Sequence, residues 1–125
     1  MDDGFTIKQV SEQTGLSIPT LRYYEELGLI NPINRLDNGH RRYTEQDVNR
    51  LHLLKKLKAT GMPISQMQQF TALYREGAKS LPARQAMLEQ HREHIQAQIE
   101  LLCETLDLVN YKIALYKQEE CEANE

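Results

Sequence analysis

Residues 6–30, TIKQVSEQTGLSIPTLRYYEELGLI, decide the fold expected of this chain. Thr6 followed by Gln9 has the spacing of a capping box, so a first helix is predicted to begin there. Gly15 is predicted to end that helix, because glycine adopts the left-handed conformation of a helix C-terminus at little cost. Ser17 then provides the N-cap of a second helix. The stretch therefore predicts two short helices joined by a tight glycine turn.

The elements expected next are a small hairpin and two more helices. Residues 33–43 contain Asp37-Asn38-Gly39, which is typical of a turn between two short extended segments. Residues 44–61 open with a hydroxyl cap and carry apolar residues at helical spacing, and residues 63–77 open with a proline and close with a glycine. We therefore expect a β-hairpin followed by a third and a fourth helix.

The stretch from Leu81 to Lys117 contains no glycine and is predicted to form one long helix. Its apolar residues alternate spacings of four and three, which is the pattern of a coiled-coil seam. The predicted dimerisation residues are Leu88, Ile95, Ile99, Leu102, Leu106, Val109 and Ile113. Such a helix is about 55 Å long, whereas a compact globule of this size is about 36 Å across. The helix is therefore expected to project and to pair with a second copy of the chain.

Three expectations about this helix are less specific. The alternative to projection and pairing is a helix that folds back across its own domain. A second apolar stripe is expected either to cover the globular part or to widen the seam, and it consists of Met87, Leu101, Leu108 and Leu115. Residues 118–125 are rich in glutamate and show no period, so they are expected to form a frayed acidic tail.

The average charge of the chain argues against a nucleic-acid partner, since the net charge is −3 and the pI is about 5.8. The charge is unevenly spread, however. Residues 35–58 carry seven basic and three acidic side chains, whereas residues 61–125 carry six basic and ten acidic ones. This asymmetry favours a basic surface in the N-terminal half, although two solvated helix faces that differ by chance would give the same counts.

Other features exclude whole classes of protein. No run of 18 apolar residues and no secretory signal occurs, so a soluble, cytoplasmic chain without a membrane partner is expected. The two cysteines, Cys103 and Cys121, are too few for a disulfide framework or a zinc ribbon. A glycine-rich phosphate loop, a clustered carboxylate pair and a nucleophile with a base are all missing, so neither an enzyme nor a cofactor is predicted.

The start of the second helix is suited to reading DNA. A helix that follows a tight turn and exposes polar residues early fits the major groove. Ile18, Leu21 and Leu27 are expected to face the core. The side chains expected to face outward are Ser17, Thr20, Arg22 and Tyr23. The hairpin would add His40, Arg41 and Arg42, placed as the basic residues of a wing that grips the flanking backbone or the minor groove.

These residues together resemble the MerR family of bacterial transcription regulators. The resemblance covers positions 5 to about 77 closely, and the long helix corresponds to the family's dimerisation helix. The matching residues are Ile7-Lys8-Gln9-Val10-Ser11, Gly15-Leu16, Thr20-Leu21-Arg22-Tyr23-Tyr24-Glu25, Gly28-Leu29-Ile30, Asn38-Gly39-His40-Arg41-Arg42-Tyr43 and Asp47.

The resemblance implies a mainly α fold. Residues 1–77 would form a winged helix-turn-helix DNA-binding domain with two supporting helices. Residues 81–117 would form a dimerisation helix in an antiparallel coiled coil, followed by the acidic tail, residues 118–125. The implied partners are double-stranded promoter DNA, a second copy of the chain, and RNA polymerase at the promoter. The implied mechanism is a bend and untwist of the DNA when an effector binds.

The resemblance also assigns roles to individual residues. Thr20, Arg22 and Tyr23 would contact DNA from the reading helix, and Arg41 and Arg42 would do so from the wing. Two further residues complete the interface, since Tyr43 would brace the base of the wing and Lys58 would contact phosphate. Tyr24 is expected to pack in the core.

The signal to which such a regulator responds is less defined. Residues 70–77 resemble the aldehyde-responsive subgroup, but that subgroup's reactive cysteine corresponds here to Lys56. Cys103 follows a seam residue near the middle of the long helix, so a redox role or an intermolecular disulfide is geometrically possible, whereas a half-buried structural thiol is the simpler interpretation. His91 and His94 lie one helical turn apart and are expected to be a surface pair rather than metal ligands.

Two binding alternatives stay open at this point. One is an architectural or excisionase-like protein that bends DNA without sensing a signal. The other is a coiled-coil adaptor whose N-terminal domain contacts a protein, and whose binding would depend little on salt.

Overall fold

The structure, a computed structural model, describes residues 4–30, 34–35 and 41–124. The chain divides into two compact units, Met1–Gln85 and Ala86–Glu125. The described helices are α1 (Ile7–Thr14), α2 (Ile18–Glu26), α3 (Glu45–Ala59), α4 (Ile64–Arg75) and α5 (Leu81–Ala123). Strands β1 (Asn34–Arg35) and β2 (Arg41–Arg42) pair antiparallel, and a 3₁₀ turn covers Gly77–Ser80. The predicted mainly α architecture with a small hairpin is confirmed, although the predicted Asp37-Asn38-Gly39 turn lies outside the described residues.

The helix boundaries follow from local hydrogen bonds that the sequence predicts. At the start of α1 the Thr6 hydroxyl accepts from the Gln9 amide at 3.2 Å, and the Gln9 side chain accepts from the Thr6 amide at 2.9 Å. Thr44 and Asp47 form the same capping box at the start of α3. Each box satisfies amide groups that have no partner inside the helix, so both helices begin where the sequence predicts.

The core of the N-terminal unit lies between these short helices. Its largest members include Tyr24 and Tyr43, whose side chains are almost completely buried. Helix α3 buries an apolar residue at nearly every turn, with spacings of three. The core cluster consists of Val10, Leu21, Tyr24, Leu29, Ile30, Tyr43, Val48, Leu51, Leu54, Leu57, Met62 and Met67. It supplies the main driving force for folding of this unit.

Helix α5 differs from prediction at two places. It begins at Leu81 as predicted but runs through 43 residues to Ala123, so the expected frayed tail from residue 118 is wrong as far as residue 123. Glutamate, glutamine, lysine and alanine are good helix formers and can extend a helix without any apolar face. His91 is only 7% exposed, so the expected surface histidine pair is also wrong for this member, whereas His94 is exposed.

The predicted dimerisation side chains are accessible in the single chain. Leu88 is at the border of exposure and Ile95 is half-buried, whereas the five residues beyond them are between 46% and 67% exposed. Those five are Ile99, Leu102, Leu106, Val109 and Ile113.

Within the described residues, no helix has both the length and the apolarity to cross a membrane.

Candidate nucleic-acid interface

The turn between α1 and α2 is held by four hydrogen bonds and one glycine. Gly15 has φ 74°, a left-handed conformation that closes α1. The Ser11 hydroxyl donates to the Leu16 carbonyl at 2.6 Å. The Thr14 hydroxyl donates to the Val10 carbonyl at 2.8 Å and accepts from the Leu16 amide at 3.2 Å. The Lys55 ammonium on α3 donates to the Thr14 carbonyl at 2.8 Å. The direction in which α2 leaves the turn is therefore set by side chains of both α1 and α3.

Helix α2 presents a polar face at its N-terminal end. Ser17 caps the helix by accepting from the Thr20 amide at 3.2 Å, and the two hydroxyl groups also bond each other at 2.8 Å. Arg22 is exposed, and Tyr23 is 49% exposed. Thr20 is half-buried. The predicted outward-facing residues thus lie together on one end of α2, with the Ser17 and Thr20 hydroxyls already occupied in part by the cap.

The opposite face of α2 anchors the helix in the core. Leu21 is fully buried as predicted, but Ile18 and Leu27 are only half-buried. Tyr24 is 1% exposed, which confirms its predicted core packing, and burial raises the pKa of its phenol above the ordinary value. The exposed Lys58 holds its ammonium 5.8 Å from the centre of the Tyr24 ring. Lys58 is therefore placed beside α2 with its charge accessible.

Tyr43 ties the base of the wing to α2. Its side chain is completely buried, and its hydroxyl donates to the Glu25 carboxylate at 2.5 Å. Its backbone pairs with Phe5 through bonds of 2.7 and 2.9 Å. A side chain without exposed surface cannot touch DNA, so Tyr43 belongs to the predicted interface only through the bracing position that the resemblance implies and not through direct contact.

The basic residues of the wing are described only in part. Arg42 lies on β2 with a half-buried side chain, and its Nε atom is buried without a hydrogen-bond partner among the described residues. The backbone of Arg41 pairs with that of Arg35 across the hairpin, but the Arg41 side chain and the whole of His40 lie outside the described residues. The sequence prediction for these two side chains stays a prediction.

The other end of α2 is held by contacts that the sequence does not predict. Three consecutive carbonyl groups, those of Leu27, Gly28 and Leu29, each accept a hydrogen bond from a side chain of another helix. The donors are Gln68 at 2.9 Å, Arg75 at 2.8 Å and Arg50 at 3.0 Å. The Leu27 carbonyl belongs to the C-cap of α2, and the other two follow it directly. The two cations also complement the negative end of the helix dipole. No sequence signal marks them, because the partners lie 21 to 47 residues apart.

Arg50 is the most enclosed of these donors. Burial lowers its pKa below the ordinary value, and the neighbouring Arg75 acts in the same direction, whereas Tyr74 and Asp47 raise it. The guanidinium stays charged under all ordinary conditions because its unperturbed pKa is so high.

The candidate sensing groups are two cysteines and a pair of histidines. Cys103 and Cys121 are both exposed thiols. The rings of His91 and His94 lie 5.7 Å apart, and His94 Nε2 is 2.8 Å from the amide nitrogen of Gln98. Among the described residues, no three His, Cys, Asp or Glu side chains are grouped as a metal site requires.

The sequence matches two family descriptions, both of MerR proteins. Residues 5–73 match the family described as MerR HTH family regulatory protein, and residues 48–109 match the family described as MerR, DNA binding. AdhR of Bacillus subtilis, an HTH-type transcriptional regulator, is 38% identical over 89 residues, which are 71% of this chain and 64% of AdhR.

Solved structures agree with the sequence match. A Listeria monocytogenes protein assigned to the MerR family of transcriptional regulators is 34% identical with a TM-score of 0.88, over 98% of this chain and 92% of that one. HiNmlR, a MerR family regulator lacking the sensor domain and solved bound to promoter DNA, is 32% identical with a TM-score of 0.83, over 94% and 93% of the two chains. The chain therefore belongs to the MerR family of transcriptional regulators.

Proposed function

We propose that this protein binds promoter DNA as a homodimer and regulates transcription by distorting that DNA. The observation that carries the proposal is the exposed, polar N-terminal end of α2. The helix itself is held in place by its buried face and by hydrogen bonds at its two ends. Arg22 and Tyr23 offer a guanidinium and a phenol to base edges and phosphates. HiNmlR, a relative similar over nearly the whole chain, was solved on promoter DNA.

The interface that we propose extends beyond α2. Ser17, Thr20, Arg22 and Tyr23 read the major groove, and His40, Arg41 and Arg42 on the wing hold the flanking backbone. Lys58 adds a phosphate contact beside α2. Tyr43 takes no part in direct contact, because it supports the wing from inside the core.

The dimer forms through the exposed apolar face of α5. The accessible side chains from Ile99 to Ile113 recur at spacings of three and four, as the knobs of a coiled coil do. In a two-fold dimer each copy presents one reading helix, so the operator should contain two half-sites related by the same symmetry. A protein that acts at a promoter is expected to work in the cytoplasm, and the proposed function includes no catalytic step.

Distortion of the promoter is the proposed means of control. Bending or untwisting the DNA changes the relative position of the promoter elements that RNA polymerase contacts. The energetic cost depends on the DNA sequence that is deformed. An effector controls this step if it binds the distorting conformation more tightly than the resting one.

A footprint on the DNA upstream of the protein's own coding region, repeated over a series of salt concentrations, tests the proposal. Each phosphate that is neutralised makes the logarithm of the binding constant fall by about 0.9 per logarithm of salt concentration. Several such contacts give a steep slope. A flat salt dependence, or no protected region, would contradict the proposal and favour an adaptor. Protection without any effect on transcription in vitro would favour a purely architectural role.

A redox signal through Cys103 is a narrower proposal that rests on its exposed thiol near the middle of α5. In an antiparallel pair the two copies of this residue approach the two-fold axis, where a disulfide between copies is geometrically possible. Mild oxidant should then produce a covalent dimer that Cys103→Ser abolishes and Cys121→Ser retains. An unchanged gel and unchanged promoter output after oxidation would reject this role.

A further inference from the structure

The ring of Tyr74 on α4 makes cation–π contacts with two arginine side chains that come from different helices. The Arg50 guanidinium carbon is 4.5 Å from the centre of the Tyr74 ring, and that of Arg84 is 5.2 Å from it. Arg50 belongs to α3, and Arg84 belongs to the first turns of α5, within the N-terminal unit. All three side chains are half-buried, which strengthens a cation–π contact relative to one in open solvent.

Arg84 is fixed on its own side by the 3₁₀ turn that precedes α5. Its Nε donates to the Ser80 hydroxyl at 3.0 Å, and one of its terminal nitrogens donates to the Gly77 carbonyl at 3.0 Å. Ser80 is only 4% exposed, and its single hydroxyl hydrogen is shared between the carbonyls of Leu73 and Gly77. The first turn of α5, the 3₁₀ turn and the end of α4 are therefore joined by one hydrogen-bond network.

Arg50 makes the connection on the other side. The same guanidinium that lies over Tyr74 donates to the Leu29 carbonyl, just beyond the end of α2. Arg75, the residue next to Tyr74, donates to the adjacent Gly28 carbonyl. A continuous set of contacts thus leads from Arg84 through Tyr74 and Arg50 to the C-terminal end of the helix whose other end faces DNA.

We propose that Tyr74, Arg50 and Arg84 are positioning residues, which couple the start of the dimerisation helix to the reading helix and thereby allow the dimer to distort its operator. The inference rests on the proposed function. None of the three belongs to the proposed DNA interface.

A rigid joint matters more for distorting DNA than for finding it. When two reading helices engage two half-sites of resisting DNA, the deformation energy acts back on the protein. A stiff attachment of each reading helix makes the DNA yield, whereas a loose attachment lets the helix rotate and leaves the DNA nearly straight. Loss of the joint should therefore reduce the bend of the bound operator more than it reduces affinity.

The test compares the bend produced by matched pairs of variants. A duplex selected by the wild-type dimer from a random-sequence pool is labelled at both ends, and its end-to-end distance is measured by energy transfer at saturating protein. Tyr74→Leu removes the ring but keeps apolar volume, whereas Tyr74→Phe keeps the ring. Arg84→Gln removes the cation from the joint, whereas Lys79→Gln removes a cation from the exposed face of the 3₁₀ turn.

We expect Tyr74→Leu and Arg84→Gln to lose half or more of the bend while affinity falls about two- to fivefold, the size of one or two weak cation–π contacts. Tyr74→Phe and Lys79→Gln should bend the duplex as the wild type does. The Arg50→Gln and Arg84→Gln changes should be non-additive when combined, because both act through Tyr74.

Equal bending by Tyr74→Leu, Arg84→Gln and the wild type at saturation would overturn the inference and leave the proposed function intact. Additive effects of the two arginine changes would also overturn it. If Tyr74→Leu fails to fold in a urea titration, Arg84→Gln and Lys79→Gln decide the question by themselves. Failure of the wild type to select any duplex would reject the proposed function, and this inference with it.

Discussion

Arg22 and Arg42 stand on different elements of the proposed interface, so removing each should have a different effect. Arg22 is exposed on α2, which we propose reads base edges, whereas Arg42 is half-buried on the wing, which we propose holds the DNA backbone. Arg22→Ala should cost about 1–3 kcal/mol of binding and relax specificity at one position. Arg42→Ala should weaken binding to all sequences alike and reduce the salt slope by about 1.

A competition assay over single-base variants of the selected operator measures both effects. Glu12→Ala provides a control on an exposed side chain of α1 that belongs to no proposed contact. If Arg22→Ala weakens binding to all operator variants equally, Arg22 contacts phosphate, and the base-specific contacts must come from neighbouring residues.

The residues that hold the interface in place were much harder to predict than the residues that line it. Arg22 and Tyr23 follow from helix spacing and from the chemistry of base edges. Arg50, Lys55 and Arg75 bind backbone carbonyls far along the chain, and such contacts leave no period in the sequence. Tyr43 is a different case, since the resemblance predicted its supporting place at the base of the wing, and its large ring fills the core there.

At the scale of single elements, the glycine turn offers a matched comparison. Gly15 and Gly28 have φ 74° and φ 78°, so alanine at either position adopts a left-handed backbone at a cost of about 1–2 kcal/mol. A Cβ at Gly15 would lie 2.9 Å from the Lys55 ammonium, whereas one at Gly28 meets nothing within 4 Å. Gly15→Ala should therefore destabilise the protein by about 1 kcal/mol more, through the displaced Lys55 hydrogen bond.

Urea unfolding of both variants measures that difference. In a Lys55→Met background the hydrogen bond is already gone, so the two alanine variants should become equally destabilising. Equal losses in the original background would show that Lys55 contributes nothing to the turn.

Element boundaries were predictable where a cap or a glycine marks them and not elsewhere. Thr6 and Thr44 predict helix starts because their hydroxyls accept hydrogen bonds from backbone amides that have no partner inside the helix. The 3₁₀ turn Gly77–Ser80 has no such signal, since it is held by the buried Ser80 hydroxyl and by Arg84. The C-terminal boundary of α5 was not predictable, because the spacing of apolar residues indicates where a helix contacts a partner and not where the helix ends.

The whole molecule should depend on the exposed face of α5 for its assembly. Leu102 is 67% exposed on the predicted seam, and Leu102→Asp would place a carboxylate from each copy in the dimer core. Since burying an unpaired charge costs several kcal/mol, the dimer dissociation constant should rise more than about 100-fold. Light scattering after size exclusion measures the mass directly.

Ala114→Asp is the matched control, because Ala114 is exposed and belongs to neither apolar stripe. It should stay dimeric and bind the operator as the wild type does. A dimeric Leu102→Asp variant would place the interface on another face of α5.

The exposed apolar side chains of α5 also make the protein's stability a function of its abundance. A free copy leaves Ile99, Leu102, Leu106 and Val109 in water, so association and completion of folding become linked equilibria. The melting temperature should then rise with protein concentration, and a concentration-independent value would contradict that linkage. Inside a cell, a regulator of this design is resistant to proteolysis only when enough of it has been made, so the level of its synthesis sets the lifetime of every copy.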